Sequence, residues 1–163
     1  MDFDHDIAII GGGLNGPALA LALSRAGLRV AVIDALPART FENADFDGRA
    51  YALALTSVRL MEGLGIWPEI AGDAQPMLEI KVTDGRAGTG PSPMFMHFDH
   101  AEIEEGPMGH MVEDRHLRRA LLKAVAADPA ITMLNDTRVT DQTVEPTGIT
   151  LTLESGKTLR ARL

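Results

Sequence analysis

The sequence predicts an α/β fold with a βαβ unit at its start, an inserted antiparallel sheet in its middle and a β-meander at its end. Three observations predict it. Residues 6–34 have the pattern of a strand, a glycine-rich turn, a helix and a strand, with no charged residue from Ile7 to Ser24. Residues 76–112 contain short alternating runs, and residues 137–163 contain three strand-like runs with turn signals between them.

The opening βαβ unit explains where the glycines fall. "DIAIIG" and "LRVAVID" are β-branched runs typical of buried parallel strands. Between them, "LNGPALALALSRAG" places Leu19, Ala22, Leu23 and Ala26 at helical spacing, and Gly27 follows as the residue beyond the helix end. A glycine inside a helix costs ~1 kcal/mol, so the four glycines of "GGGLNG" disfavour a membrane-spanning helix here.

The glycines at the first turn form a Gly11-x-Gly13-x-x-Gly16 motif. In a Rossmann-like unit the first glycine permits the tight turn, the second lets the backbone approach a pyrophosphate, and the third allows close packing of helix and strand. Asp34 ends the second strand and can accept hydrogen bonds from a ribose. Its charge would repel a 2′-phosphate, so the motif predicts NAD or FAD and leaves the choice between them open.

The middle of the chain is predicted to combine helices with the inserted sheet. Residues 35–50 read as a loop, and residues 50–65 read as a helix with Leu53, Leu60 and Leu64 facing the core. The strands of the inserted sheet are predicted at 77–85, 94–98 and 108–112, with a loop at 86–93.

The last part of the chain is predicted to be a helix, a strand and the meander. Residues 113–127 form the helix, with Asp114 as its N-cap and Leu117, Leu121 and Ala124 on one face. The strand follows at 131–135, and the meander strands lie at 137–144, 148–154 and 157–163.

Composition excludes several classes of function. The 163 residues contain 15 Lys and Arg against 23 Asp and Glu, a net charge of −8, which disfavours nucleic-acid binding and docking on anionic lipid. There is no cysteine, which excludes disulfides, thiolate catalysis and cysteine-based zinc sites and fits a reducing compartment. The acidic start "MDFDHD" lacks a secretory signal, so we predict a cytoplasmic location.

Two further kinds of site are disfavoured. One group of residues resembles a metal cluster but has loose spacing and no HExxH pairing, so no metal is predicted. Its members are His97, Asp99, His100, Glu102, Glu104 and Glu105. The sequence also has no Gly-x-Ser-x-Gly elbow, which leaves a hydrolase triad without support.

Three stretches together resemble one family. They are "DIAIIGGGLNGPALALALSRAG", "FDGRAYALALTSVRLMEGLGIWPEI" and "MGHMVEDRHLRRALLKAV". They resemble the N-terminal part of the ubiquinone-biosynthesis flavin hydroxylases, FAD-dependent aromatic monooxygenases related to 4-hydroxybenzoate hydroxylase. The resemblance covers essentially the whole chain, and "FDGRAYAL" is its specific element.

The resemblance implies a role for seven residues. The three motif glycines hold the FAD pyrophosphate, Asp34 holds the adenosine ribose, Arg49 reaches the flavin side, Asp114 meets the ribityl chain and Val139 passes near the adenine. Two of these assignments keep an alternative. Arg49 is either a cofactor contact or the partner of Asp45 or Asp47, and Asp114, where relatives carry an amide or similar group, is either a contact or a plain N-cap.

The resemblance also implies an activity. NAD(P)H is the transient reductant of FAD, one oxygen atom of O₂ goes to the ring of a polyprenylated phenol, and no protein side chain is required as the catalytic residue. Residues 76–112 would belong to the sheet of the substrate domain. Five residues either line an aromatic pocket or pack in the core: Met94, Phe95, Met96, Met108 and Met111.

Residues 1–163 would be the N-terminal part of an FAD-binding domain, incomplete relative to the family and inactive alone. We expect two later FAD motifs beyond Leu163, an exposed strand edge there that promotes association, and at most peripheral membrane contact. A homo-oligomer or a biosynthetic complex is the expected assembly. Two other functions stay open, an NAD-binding dehydrogenase domain and a non-catalytic interaction fragment.

Overall fold

The chain divides into two compact units. The first comprises Met1–Asp47 and Arg115–Leu163, and the second comprises Gly48–Asp114. The computed structural model describes residues 3–38, 45–86, 88–103 and 105–163. Its strands are β1 (Ile7–Ile10), β2 (Val30–Ile33), β3 (Ala50–Ala54), β4 (Gln75–Pro76), β5 (Glu79–Arg86), β6 (Gly90–Asp99), β7 (Gly109–Glu113), β8 (Ile131–Leu134), β9 (Val139–Glu145), β10 (Gly148–Leu153) and β11 (Thr158–Ala161). Its α-helices are α1 (Asn15–Arg25), α2 (Leu55–Gly63), α3 (Trp67–Ile70) and α4 (Asp114–Ala127).

A parallel sheet in the order β1-β2-β8 forms the centre of the first unit. Val30 pairs with Ile7 on one side and with Ile131 on the other, and every residue of β2 is buried. The continuous apolar run that predicted a buried parallel strand is therefore confirmed. Helix α1 contacts all three strands of this sheet.

Helix α1 ends as predicted but buries a different face. The Gly27 N–H bonds the Ser24 carbonyl at 2.9 Å, the Leu28 N–H bonds the Leu23 carbonyl at 3.2 Å, and Gly27 has a φ of +84°, which is a Schellman ending. The expected apolar face is wrong, since Leu19 is 50% exposed. The buried face consists of Gly16, Pro17, Ala20 and Leu21.

The predicted meander is confirmed and packs on the parallel sheet. Strands β11, β10 and β9 form an antiparallel sheet in that order. Ala31 and Ile33 of β2 share a core cluster with Leu151, Leu159 and Ala161 of the meander. Because side chains alternate along a strand, the other face of β2 is turned toward the helices.

The strand edge near Leu163 is paired, contrary to expectation. The Asp4 N–H donates to the Arg160 carbonyl at 3.0 Å, the Ala8 N–H donates to the Leu163 carbonyl at 2.7 Å, and the Arg162 N–H donates to the Asp6 carbonyl at 3.2 Å. The beginning of the described chain thus covers the outer edge of the meander, and these backbone groups cannot recruit another strand.

The second unit contains two separate antiparallel sheets. One has the order β3-β7-β4 and the other is the hairpin β5-β6. Two predictions are wrong, and one strand was not predicted. Residues 50–54 form a strand rather than the start of a helix, because they pair with residues 109–113 of β7. Strand β4 was not predicted, and β6 begins at Gly90, inside the predicted 86–93 loop.

The helices lie close to where they were predicted, but the side chains predicted to be buried are only partly the ones that are buried. In α2, Val58 and Met61 are buried whereas Leu60 is 49% exposed, so Leu60 does not face the core. In α4, Leu117 and Leu121 are buried as predicted. No helix within the described ranges is long and apolar enough to cross a membrane.

A polar contact joins α1 to the turn between α4 and β8. The Ser24 hydroxyl donates to Asp128 Oδ2 at 2.6 Å, and the Ala130 N–H donates to Asp128 Oδ1 at 2.9 Å. The hydrogen bond from Ser24, followed by the one from Ala130, holds the pKa of Asp128 below its usual range. The ionised carboxylate therefore contributes to the stability of the first unit.

We expect Ser24→Ala to lower the free energy of unfolding by about 1 kcal/mol near pH 7 and to raise the pKa of Asp128 toward its ordinary value. The lowered pKa in the folded state means that this contribution is complete above the ordinary pKa and is lost as the pH falls through the lowered one. The difference between the two proteins should therefore narrow on acidification. Urea unfolding at several pH values and carboxyl NMR measure both quantities.

The control is Ser155→Ala, since Ser155 is exposed in the turn between β10 and β11 and does not contact Asp128. It should leave the Asp128 pKa unchanged. A stability difference between Ser24→Ala and the wild type that is as large below about pH 3.5 as near pH 7 would contradict the assignment.

Candidate functional site

The glycine turn between β1 and α1 has a backbone conformation and a close backbone contact that residues with a side chain would not allow. Gly11 has a φ of +118°, which disfavours any residue with a Cβ, and its N–H donates to the Ile33 carbonyl at 2.8 Å. A Cβ on Gly16 would collide with the carbonyl oxygen of Gly11. The first and third glycines of the motif are therefore required by the turn itself and by the contact of α1 with the end of β1.

Gly13 differs from both, because a Cβ built there meets no atom within 4 Å and Gly13 does not have a positive φ. The folded protein does not need a glycine at this position. It lies beside the N-terminus of α1, where a bulky ligand would fill the open space. The fold itself therefore places no requirement for glycine on position 13.

The N-terminus of α1 is suited to an anion. Leu14 is the N-cap and makes no side-chain capping bond, and the first turn has no acidic residue among the described residues. The first N–H groups of a helix lack intrahelical partners, and they carry the positive end of the helix dipole. Pro17 supplies no N–H, so the donors of this first turn come from the residues before it. Such an uncapped end is a ready phosphate site.

Asp34 connects the glycine turn to the end of β2. Its Oδ2 accepts a hydrogen bond from the Gly12 N–H at 2.5 Å, and its Oδ1 accepts one from the Leu36 N–H at 2.7 Å. A carboxylate has about four acceptor positions, so each oxygen keeps the capacity to accept from a sugar hydroxyl.

Gly12 was not among the predicted site residues, yet its environment is also too crowded for a side chain. A Cβ there would lie 2.6 Å from Met133 Cε and 3.0 Å from Asp34 Cβ. The only sequence signal was the run of three glycines. Met133 lies in β8, more than a hundred residues along the chain, so local pattern did not reveal that it supports the turn.

The turn after β8 is also tied to Asp34. The Thr137 N–H donates to the Asp34 carbonyl at 2.9 Å, and the Asp136 N–H donates to the Leu36 carbonyl at 3.0 Å. Val139 begins β9 two residues later and packs, partly buried, against the core cluster of the meander. The first unit thus brings the motif glycines and Asp34 together and places the segment leading to Val139 beside Asp34.

Arg49 and Asp114 lie together in the second unit. The Asp114 N–H donates to the Arg49 carbonyl at 3.0 Å, directly beyond the paired strands β3 and β7. Arg49 Nη2 is 3.5 Å from Asp114 Oδ2, and the Tyr51 hydroxyl donates to Asp114 Oδ1 at 3.1 Å. Asp114 is only 4% exposed, whereas the Arg49 side chain is 55% exposed. A buried carboxylate therefore holds an accessible guanidinium.

Two earlier alternatives bear on this cluster. Asp114 is the first residue of α4, so its acidic side chain lies in the first helical turn. Its negative charge there interacts favourably with the positive end of the helix dipole. The ion pair described for Arg49 is made with Asp114, a partner that the sequence did not indicate. The sequence analysis also missed Tyr51, because it is separated from Asp114 by 63 residues along the chain.

Two residues of the acidic and histidine-rich stretch, His97 and Asp99, form a surface cluster with Glu79 on the hairpin. Donor atoms of Glu79, His97 and Asp99 lie within 4.8 Å of one another. Lys81 Nζ is 2.8 Å from Glu79 Oε2, and its hydrogen bond holds the pKa of Glu79 below the usual range. The positive charge of Lys81 therefore lies within this acidic cluster. Glu104, one of the residues in the original set, lies outside the described residues.

Comparison with known proteins gives matches over nearly the whole chain. Residues 4–163 match the family model described as an FAD binding domain. Ubiquinone hydroxylase UbiL of Rhodospirillum rubrum is 43% identical over 158 residues, which is 97% of this chain and 35% of that protein. The 3-demethoxyubiquinol 3-hydroxylase of Escherichia coli is 35% identical over 130 residues, 78% of this chain and 32% of that protein.

The fold is shared with solved flavoprotein monooxygenases. Aklavinone-11 hydroxylase, solved with FAD and aklavinone, superposes with a TM-score of 0.73 at 22% identity, covering 99% of this chain and 32% of that one. The predicted Rossmann-like α/β fold is thus confirmed, as is the resemblance to the ubiquinone-biosynthesis hydroxylases. The chain spans about a third of the length of the proteins it matches.

We expect Gly16→Ala and Gly13→Ala to differ in their effect on folding. Gly16→Ala should lower the free energy of unfolding by about 2 kcal/mol, because its Cβ meets the Gly11 carbonyl and α1 must shift. Gly13→Ala should change it by less than about 0.5 kcal/mol, since the position is open. Urea unfolding followed by circular dichroism measures both variants. Equal losses of stability would contradict the difference between an open position at Gly13 and a crowded one at Gly16.

Proposed function

Because this chain belongs to the FAD-binding domain family, we propose that it is the FAD-binding portion of an aromatic-ring monooxygenase that acts on a polyprenylated phenol in ubiquinone biosynthesis. The observation that carries the proposal is the uncapped N-terminus of α1 beside the open position at Gly13. The substrate class comes from the names of the relatives. The activity is that of a whole protein, of which this chain spans about a third by comparison with them.

The first unit would hold the adenosine and pyrophosphate half of FAD. Gly11, Gly13 and Gly16 would cradle the pyrophosphate against the helix N-terminus, where the N–H groups and the helix dipole attract negative charge. Asp34 would accept hydrogen bonds from the adenosine ribose through the acceptor positions that Gly12 and Leu36 leave open. Val139 would pass its backbone near the adenine.

The second unit would contribute Arg49 and Asp114 to the flavin half. When bound, FAD would supply the redox chemistry, with NAD(P)H as the reductant and O₂ as the oxidant, one oxygen atom entering the ring and the other leaving as water. The Arg49 guanidinium would offset negative charge on the cofactor. Asp114 and Tyr51 would restrict the arginine to one position, so we assign them a positioning role. No residue of this chain is proposed to exchange a proton with the substrate.

The hairpin β5-β6 would belong to the substrate domain, together with the remainder of residues 76–112. One face of it is apolar and solvent-exposed, since Ile80 pairs with Phe98 and Val82 pairs with Met96. Met94 is 82% exposed and Met96 is 60% exposed, so these methionines do not pack in a core among the described residues. Alternation puts Phe95 on the opposite face with His97, which divides the residues expected to line a pocket.

The location and partners of the whole protein follow from this function. We propose a cytoplasmic enzyme with at most peripheral membrane contact, because a polyprenylated phenol partitions into lipid. O₂ and the phenol would be its substrates, with NAD(P)H as a transient reductant. The family match favours FAD over the NAD-binding alternative. A non-catalytic interaction fragment remains the second candidate, supported by the exposed apolar face of the hairpin.

Titration of the purified chain with FAD, followed by flavin fluorescence, tests the function directly. We expect saturable binding that is tighter for FAD than for FMN, because FMN lacks the adenosine ribose that Asp34 would bind. NAD⁺ gives no flavin signal and is measured by competition, in which it should displace bound FAD only weakly. Gly13→Ala should weaken FAD binding at least about tenfold while the protein stays folded, since the Cβ would occupy the pyrophosphate position.

Two outcomes would contradict the proposal. Absence of FAD binding both in this chain and in a chain extended to the length of the relatives would show that these residues do not hold the cofactor. Binding of NAD⁺ as tightly as FAD would favour the dehydrogenase reading instead.

A second test concerns Arg49. We expect Arg49→Ala to lower FAD affinity about tenfold, the loss of one charge-assisted hydrogen bond, and also to lower the free energy of unfolding, because the buried Asp114 carboxylate loses the guanidinium and keeps the Tyr51 hydroxyl. The two effects are separated by measuring affinity where circular dichroism shows the variant to be folded. Arg59→Ala is the matched control, since Arg59 lies in the same unit and is 56% exposed in an ion pair with Glu105. Isothermal titration calorimetry measures both. Equal effects of the two substitutions would remove Arg49 from the proposed site.

A further inference from the structure

The first turn of α1 has fewer backbone donors than an ordinary helix start. The first N–H groups of a helix have no intrahelical partner and are the donors that meet a bound anion. The third helical residue is Pro17, which has no N–H. The N–H of the next residue, Ala18, donates to the Leu14 carbonyl at 3.3 Å. Within this described turn, Asn15 and Gly16 are therefore the helical residues that keep a backbone donor for a ligand.

The Asn15 side chain adds donors at the same place. Asn15 is the first residue of α1 and is exposed, and its amide makes no hydrogen bond to another described residue. The Cα–Cβ bonds of a helix tilt toward its N-terminus, so this amide extends toward the helix end. Gly13, two residues earlier, leaves open space there. The amide therefore lies at the end of the helix where the cofactor phosphates are proposed to bind.

Helix stability does not account for an asparagine at this position. Asparagine stabilises a helix as the N-cap, where its side-chain oxygen accepts from the first turn, but the N-cap of α1 is Leu14. At the first helical position, a carboxylate would interact favourably with the helix dipole, whereas the neutral amide does not carry that charge. A carboxylate would also repel a phosphate. The neutral donor thus suits an anion site better than it suits the isolated helix.

We propose, on the basis of the FAD-binding function above, that the Asn15 side-chain amide donates to the pyrophosphate of the cofactor. It takes the place of the backbone donor that Pro17 lacks. An asparagine amide carries two N–H donors, and a hydrogen bond from it to a charged phosphate oxygen is stronger than one between neutral groups. Asn15 is then a cofactor-binding residue in addition to the three motif glycines.

The test compares Asn15→Ala and Asn15→Asp with the unaltered 163-residue chain in FAD titrations followed by flavin fluorescence. We expect Asn15→Ala to weaken FAD binding about tenfold, the loss of one charge-assisted hydrogen bond. Asn15→Asp should weaken it about a hundredfold, because it removes the same donors and adds a negative charge beside the pyrophosphate.

Urea unfolding of the same variants without FAD separates a ligand contact from a structural role. The unfolding midpoint of Asn15→Asp should be unchanged or higher, because its carboxylate interacts favourably with the helix dipole. Affinity and stability therefore move in opposite directions in this variant. A fall of both together would show that Asn15 acts through the folding of α1, and would overturn the proposal.

ADP locates the contact, because it contains the adenosine and the pyrophosphate without the flavin. In displacement of bound FAD, Asn15→Ala should weaken ADP by the same factor as it weakens FAD. A loss confined to FAD would place the contact on the flavin half of the cofactor and overturn the assignment to the pyrophosphate.

Gln142→Ala and Gln142→Glu are the matched controls, since Gln142 is an exposed amide on β9 of the same unit. Both should bind FAD like the unaltered chain, and Gln142→Glu adds the same charge as Asn15→Asp. Equal FAD affinity of the unaltered chain and the Asn15 variants would overturn the role of Asn15 and leave the proposed function standing. Absence of FAD binding in the unaltered chain and in its extended form would overturn both.

Discussion

The contact between Gly16 and the carbonyl oxygen of Gly11 fixes how the first unit is arranged. Because no side chain separates them, α1 lies directly against the end of β1, and this contact sets the rotation of the helix about its axis. Ala20 and Leu21 then become the buried residues of the next turn, and Leu19 is left half exposed. The same contact determines where the N–H groups at the start of α1 point, and so it connects packing to the proposed phosphate binding.

Asp34 shows how one carboxylate serves both the shape and the proposed chemistry of the site. Its two oxygens accept from the N–H groups of Gly12 and Leu36, so it holds the glycine turn against the end of β2. Asp114 plays the corresponding part in the second unit, where it bridges Arg49 and Tyr51. In both places a short acidic side chain at a strand or helix end holds a neighbouring group in position by hydrogen bonds or an ion pair.

The sequence predicted those features that depend on local pattern. The strands β1 and β2, the glycine turn and the meander all follow from buried β-branched runs and turn residues. Residues 50–54 failed because "AYALA" has high helix propensity, and pairing with β7 overrides it. Gly109 allows that pairing, since a Cβ there would collide with the Leu53 carbonyl. Tyr51 and Met133 were missed because their roles arise from contacts between distant parts of the chain.

The two units differ in how much of their apolar surface they cover themselves. In the first unit the meander covers one face of the parallel sheet, and backbone bonds close its edge at Leu163. In the second unit the hairpin β5-β6 leaves Met94, Met96 and Phe98 largely exposed, and a two-stranded sheet is marginally stable alone. An exposed apolar face of this kind normally meets a partner or a ligand. The phosphate half of the proposed function thus rests on a unit whose parallel sheet is covered on one face by the meander. The proposed substrate half rests on an exposed apolar surface, and the chain spans about a third of the length of the relatives it matches.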